Sequence, residues 1–431
     1  MLVGGLALVV RVLVIVFVDP HVPEVGDASA YHLLANNLAD GHGYIRPFDL
    51  AKFGRTVPTA EYPPLFPFVL SLFARLGVRS VEGQRLGLAV IGSGTVVLIA
   101  YIGRRVAGTT VGVVAGMLAA IYPMLFLADA TLMSESLFAF FVAAALFLAY
   151  RAADQPSVWR FLALGVVLGL ATLTRAEAIV LAGLLVIPLA WRVRDANVWR
   201  RVGLAASVFL IAAAIVVPWS IRNARTFHDF VPVSNSLVQI VDGANCRLTY
   251  SGPFLGSWRS TFGNADAHGR ECFEGFNGSK PGFDEAKAAD ISKRDGLHYI
   301  RTRLGELPKV TVARLLRTFG VFRPAQQTQL EALEGRPLGW ERAGTAMYWV
   351  LAPFAIAGLV LLIRRRAPVW PLAAALLTVV LSTILTYGTQ RFRITAEPAI
   401  VVLATTALVA LARGIGTRLH GSRTPAPTAP V

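Results

Sequence analysis

Between Leu86 and Ile102, and again between Val111 and Ala128, the chain carries no charged side chain. Crossing a hydrocarbon core about 30 Å thick takes about 20 helical residues, so each run approaches the length of a membrane span. No water reaches the backbone in lipid, and a helix satisfies its own amides and carbonyls there. Ten predominantly apolar runs lie near 2–18, 86–103, 111–128, 135–150, 159–174, 177–191, 201–219, 344–363, 367–387 and 394–412. Composition agrees: 16% of the 431 residues are charged, against about 25% in a soluble domain. The chain reads as an all-α polytopic membrane protein with about ten transmembrane helices. The stretch 63–77, PPLFPFVLSLFARLG, is apolar but short and opens on two prolines. It reads as a helix lying at the outer membrane surface.

Basic residues set the orientation. Arg104 and Arg105, Arg151 and Arg160, Arg192, Arg194, Arg200 and Arg201, Arg364 to Arg366, and Arg413, Arg418 and Arg423 all fall on one side of a ten-span chain. Short Arg-rich connections stay cytoplasmic. Much of the formal charge of +15 is therefore a topology signal. No basic stripe with interleaved aromatics suggests nucleic acid as a partner. The apolar N-terminus lacks a basic leader and a small-x-small cleavage site, and reads as a retained first helix. Arg11 lies inside that span, where a structural salt bridge is the expected reason for a buried charge.

Four regions follow: a transmembrane module over 1–219 with an outer loop at 19–85, an extracytoplasmic loop domain over 220–343, C-terminal transmembrane helices over 344–412, and a cytoplasmic disordered tail over 413–431. Within the loop domain, 283–304 and 307–322 have helical spacing. Arg314, Arg317 and Arg323 beside Phe319, Val321 and Phe322 suit an interfacial helix. Cys246 and Cys272 are the only cysteines, and an oxidising compartment pairs them. Gly112/Gly116 and Gly165/Gly169 have the spacing of close helix packing. Gly92-Ser-Gly94 sits in an apolar span with no preceding strand, so it is no nucleotide fingerprint.

The informative polar residues cluster at one end of the helices. Gly26-Asp27-Ala28-Ser29-Ala30-Tyr31-His32 opens the first outer loop, and Glu61 precedes Pro63 and Pro64. Asp129 and Glu135 flank the turn before the fourth span, Arg175 follows the fifth, and Arg391 and Arg393 precede the last. Taken alone, Asp27 is a helix N-cap, Arg175 is an interfacial anchor and His32 is a structural histidine. Several such segments on one side point to a site.

GDASAYH, the later PPLFP, SESLFAFF, GLATLTRAE and RFRITAEP together resemble the polyprenyl-phosphate-sugar-dependent glycosyltransferases of the GT-C class. The bacterial protein O-mannosyltransferase-like and aminoarabinose-transferase-like families are the nearest in pattern. The resemblance spans most of the transmembrane part. It implies a GT-C fold with two large extracytoplasmic segments, a bacterial plasma-membrane location and an active site on the extracytoplasmic side. It also implies a polyprenyl-phosphate-linked sugar as donor, a protein or glycan as acceptor and an inverting mechanism. On this reading Asp27 is the general base and Glu135 the second acidic position. Arg391, Arg393 and Arg175 bind the donor phosphate, and Tyr31, His32, Glu61 and Asp129 are further substrate-site candidates. Relatives often read Asp-Glu where this chain reads Asp27-Ala28, so the second acid is missing from that loop.

These residue types suit that chemistry. A carboxylate takes the acceptor's hydroxyl proton, and arginine stabilises the charge gathering on a leaving phosphate. No His/acid pair has metal-ligand spacing, and no cofactor is expected. The fold class leaves room for a divalent cation held by Asp27, Glu135 and the lipid phosphate. A transporter or flippase is the runner-up reading. Its ionisable residues would sit at mid-membrane in repeated halves, whereas here they sit at the helix ends. A non-catalytic assembly subunit is the third.

Overall fold

A computed structural model describes residues 2–18, 22–24, 26–193, 196–227, 230–259, 272 and 284–421. Of the tail expected to be disordered over 413–431, residues 413–421 instead continue the helix Glu397–Gly421, and the rest lies outside the described residues. Among the described residues the regular structure is helical, with one isolated bridge between Ile45 and Pro58. Each of the ten apolar runs is helical. Five helices are long and apolar enough to cross a membrane: Val81–Ala107, Glu135–Asp154, Val198–Phe227, Leu338–Arg364 and Glu397–Ile415. Thr109–Ile121 and Pro123–Ala130 pass the same test only as a pair bent by 49°, the shape of a broken span or a re-entrant loop. Leu2–Val18, Val158–Thr174, Ala178–Trp191 and Trp370–Leu385 are shorter. Their outward side chains are apolar, among them Phe17, Trp159, Ile187 and Leu385, which suits lipid. The stretch at 63–77 is an 11-residue helix, Leu65–Arg75.

The bend in the third run has a local cause. A residue before proline is held out of the α region, and Tyr122, preceding Pro123, is extended. The helix restarts at Pro123, whose missing N–H costs nothing at a first helical position. This short second half carries Asp129 into the protein interior. There Arg11 Nε donates to Asp129 Oδ2 at 2.5 Å, and Ser136 Oγ donates to the other oxygen. The intramembrane arginine is thus matched within the bundle.

Gly92 makes room for that pair. A Cβ built at Gly92 would stand 2.0 Å from Asp129 Oδ2, so any larger residue expels the carboxylate and leaves Arg11 buried and unpaired. Gly92→Ala is expected to destabilise the fold by about 3–5 kcal/mol, the cost of breaking a buried ion pair. Melting of purified protein in detergent checks it. An unchanged melting temperature would show that Asp129 does not need the space.

The two long connections meet each other. Glu285, on the helix Glu285–Thr302, accepts from Thr59 Oγ1 (2.8 Å), Ala60 N (2.9 Å) and Asn235 Nδ2 (3.0 Å). Arg222 Nη1 donates to Thr59 O at 2.7 Å and its Nη2 to Tyr44 O at 2.9 Å. Cys246 and Cys272 are joined by a disulfide.

The interfacial reading of 307–322 needs correction. The helix is Leu307–Thr318, and its Arg314 and Arg317 are buried. Arg314 Nη2 donates to Ala244 O and Asn245 Oδ1, both at 2.9 Å, and Arg317 to Leu255 O (2.6 Å) and Pro253 O (2.8 Å). Guanidinium groups satisfy buried carbonyls of a turn-rich segment here, so Arg314 and Arg317 face inward, while Arg323 stays exposed.

Candidate active site

Asp27, Glu135, Arg175 and Arg391 come from four separate elements and meet. Asp27 is the first residue of the helix Asp27–Ala39, and Gly26 occupies the cap position. Among the described residues the Asp27 carboxylate accepts from side chains and from no backbone N–H of its helix, so helix capping does not account for it. Oδ2 accepts from Arg391 Nη2 at 3.0 Å and Oδ1 from the Tyr62 hydroxyl at 3.3 Å. The Asp27 side chain is 31% exposed.

Glu135 opens the helix Glu135–Asp154 and is fully buried. The turn before it contains Leu132 at φ 56°, a left-handed conformation that costs a non-glycine residue on the order of 1 kcal/mol or more. That tight turn sets Ser134 and Glu135 at the helix mouth. Glu135 Oε1 receives Arg391 Nε at 2.5 Å and Arg175 Nη1 at 3.2 Å. Arg175 is held again by Glu177 at 3.0 Å and lies near the rings of Phe138 and Phe392. Tyr31 is buried, with its hydroxyl 3.4 Å from Ser134 Oγ and its ring edge-on to Tyr62 and Phe66.

Arg391 is the hub. Thr389 Oγ1 caps the short 3-10 helix Gln390–Thr395 by accepting from Arg391 N. Among the described residues its Nε and Nη2 serve the two carboxylates, and Nη1 makes no hydrogen bond. The guanidinium also lines a cavity of about 300 Å³, walled by Trp258, Arg259, Glu331, Glu334, Tyr387 and Thr389. Close backbone contact shapes this wall. Gly388 N donates to Gly256 O at 2.8 Å, and a Cβ on Gly388 would lie 2.4 Å from Arg314 O. Glu331 is fixed by Gln327 Nε2 (2.9 Å) and Thr389 Oγ1 (2.6 Å).

Other expected site residues lie elsewhere. Arg393 is fully buried and pairs with Glu397 at 3.1 Å, under the Tyr348 ring, while Tyr122 donates to the same carboxylate at 2.9 Å. It is a core residue and does not reach the Asp27 cluster. Asp129 is the partner of Arg11. His32 sits between Gln84 Oε1 (3.0 Å) and Asn36 Nδ2 (3.2 Å). Glu61 stands beside Gln239 at 3.4 Å, and burial pushes its carboxyl up to about 7.

Arg259, Glu331 and Glu334 were missed by sequence reasoning. Trp258-Arg259 ends the turn-rich SGPFLGSWR segment, whose aromatic and basic ending was a usable signal. The acids in EALEGRP carried none. Among the described residues Arg259 Nε is buried without a hydrogen-bond partner, its guanidinium lies 3.9 Å from the Phe254 ring centroid, and burial pushes its pKa down.

A divalent cation does not fit the residues as arranged. The space between Asp27 and Glu135 is bridged by the Arg391 guanidinium, which already neutralises both. Among the described residues no group of three or more His, Cys, Asp or Glu side chains is placed to hold a metal.

Residues 61–221 match the model of the dolichyl-phosphate-mannose-protein mannosyltransferase family. The match includes Glu135 and Arg175 but neither Asp27 nor Arg391. No curated protein matches the chain significantly in sequence. Among solved structures, the oligosaccharyltransferase AglB of Archaeoglobus fulgidus, in complex with an inhibitory peptide and a dolichol-phosphate, is 14% identical with a TM-score of 0.52. That alignment covers 99% of this chain and 52% of AglB. The same enzyme tethered to an acceptor peptide gives 14% identity and 0.54 over 96% of this chain and 50% of that one. ArnT of Cupriavidus metallidurans bound to undecaprenyl phosphate is 18% identical over 100% of this chain and 81% of its own, with a TM-score of 0.46. The chain spans about half the length of the oligosaccharyltransferase it matches. The chain thus shares its fold with the archaeal oligosaccharyltransferase, and its residues 61–221 match the dolichyl-phosphate-mannose-protein mannosyltransferase family model.

Proposed function

We propose that the chain is an inverting glycosyltransferase that moves a hexose or pentose from a polyprenyl-phosphate to a protein or glycan acceptor. The observation that carries this reading is Arg391, which is anchored by two carboxylates and lines a cavity of about 300 Å³. The donor phosphate turns from diester to monoester as the sugar leaves, and gains charge. A guanidinium held in place beforehand stabilises that charge without reorganising. The cavity is lined by two acids, Glu331 and Glu334, and two bases, Arg259 and Arg391, so the phosphate is held on the side of the two arginines. Asp27 and Glu334 are the carboxyls at this hub with access to solvent and substrate.

All ten apolar helices span the membrane in this proposal, with the site on the extracytoplasmic side, as the one-sided arginines require. A transporter reading gains nothing from the bundle interior, where Arg11–Asp129 and Arg393–Glu397 are closed pairs.

Polyprenyl phosphate should raise the melting temperature of the purified protein in detergent, because a ligand that binds only the folded state stabilises it. The uncharged polyprenol should raise it far less. Equal stabilisation by both lipids would mean that no phosphate site is present.

A further inference from the structure

The anomeric carbon of the donor is bonded directly to a phosphate oxygen, so a phosphate held by Arg391 leaves its sugar beside that guanidinium. Arg391 borders a cavity of about 10 Å³, next to Arg336 and Glu397, which has room for one water and not for a ring. It also borders the cavity of about 300 Å³. That volume lies at the lower end of small-molecule sites, which run from about 300 to 1,000 Å³, and it offers space for a sugar ring.

The wall of the larger cavity suits a sugar. Trp258 and Tyr387 stand with ring centroids 6.5 Å apart and planes 42° apart. The Trp258 ring is fixed by its Nε1, which donates to Gln239 O at 3.2 Å. Aromatic rings line small-molecule sites, and a few placed polar groups fix the ligand's orientation. Of the two carboxyls at the wall, Glu331 is engaged by Gln327 and Thr389. Glu334 is half-buried, and its carboxyl makes no hydrogen bond among the described residues. An ionised carboxylate only accepts, through two oxygens, which matches two neighbouring hydroxyls. Its Oε2 lies 3.8 Å from where a Cβ on Gly26 would stand, one residue before Asp27. A ring held by Glu334 is therefore presented to the loop that carries Asp27.

We infer that this cavity is the subsite for the donor's sugar ring, and that Glu334 reads the sugar by accepting hydrogen bonds from two of its hydroxyls against the aromatic wall of Trp258. This inference rests on the function proposed above, and it leaves Asp27 as the base for the acceptor's proton. Burial, with the Asp27 charge adding and Arg391 opposing, pushes the Glu334 carboxyl up to about 7. A partly buried carboxylate without a donor is costly, and the sugar's hydroxyls supply the donors that the protein does not.

The test measures binding, apart from transfer, by full-length protein in detergent. The ligands are polyprenyl phosphate and polyprenyl-phosphate mannose, glucose and arabinose. The wild type is expected to bind at least one sugar-bearing lipid more tightly than polyprenyl phosphate. Glu334→Ala is expected to weaken that lipid about 10–100-fold, the share of hydrogen bonds to a charged group. It should bind polyprenyl phosphate as before, which also shows that it is folded. Glu334→Gln, which keeps the packing and one carbonyl acceptor, should show a smaller loss on the same lipid. If both variants bind every sugar-bearing lipid as the wild type does, and only the acceptor's KM rises, the cavity serves the acceptor and the inference is wrong, though the transferase reading stands. A wild type that binds all four lipids alike would overturn it equally. Wild-type protein that binds none of the four would remove the transferase reading itself, and the sugar subsite with it.

Discussion

Arg391→Ala is expected to reduce sugar transfer by on the order of 10²–10³-fold, the usual consequence of removing one preorganised donor to a developing oxyanion. The variant loses the cation facing the leaving phosphate, and it also frees Asp27 and leaves Glu135 with Arg175 as its one ion-pair partner among the described residues. A modest fall in stability therefore accompanies the loss of activity. Arg391→Lys separates the two effects. Lysine restores the charge but cannot present a planar fork to two carboxylates and a phosphate together. Its melting temperature should recover further than its kcat. Near-normal transfer by a folded Arg391→Ala protein would remove Arg391 from the mechanism.

The neighbouring arginine behaves in the opposite way. Arg393→Met is expected to cost about 3–5 kcal/mol of stability, because Glu397 stays behind as an uncompensated buried charge. Replacing both partners, Arg393→Met with Glu397→Leu, should recover most of that loss, since well-packed apolar residues often substitute for a buried pair. Transfer per folded molecule should survive in the double variant. The readouts are melting temperature and kcat, measured on the same preparation. A double variant that is stable but inactive would place Arg393 in the active site after all.

The contrast between Arg391 and Arg393 shows what was legible beforehand. Both arginines of RFRITAE were read as phosphate ligands because both lie on the side opposite the cytoplasmic arginines. In a 3-10 helix of three residues per turn, positions two apart point in widely different directions. Arg391 therefore turns to Asp27 and Arg393 into the bundle. The i,i+4 spacing of Arg393 and Glu397 was a visible sign of pairing. The bilayer-length apolar runs were legible for a stronger reason, since the backbone in lipid has few solutions. A salt bridge at Arg11 is expected from the sequence, whereas Asp129 reads as part of the outer connection after the third span, and the break at Pro123 turns it inward to Arg11 instead.

The cavity was not legible at all. Its walls come from 257–259, 327–334 and 387–391, brought together by tertiary contacts such as Gly388 against Gly256 that leave no periodic trace. Glu331 and Glu334 sit in a short polar stretch with no pattern to mark them. Arg314 and Arg317 illustrate the converse. Their spacing beside aromatics fits a membrane surface, but buried carbonyls at 244, 253 and 255 claim them.

The most direct measurement of the central claim is sugar transfer by the purified wild-type protein. Radiolabelled mannose, glucose and arabinose would each be supplied on polyprenyl phosphate, with host membranes lacking the protein as acceptor. The account predicts label moving to a non-lipid acceptor with inversion at the anomeric carbon, and with release of polyprenyl phosphate in equal amount. Folded protein that binds these lipids yet moves no label from any of them would contradict it.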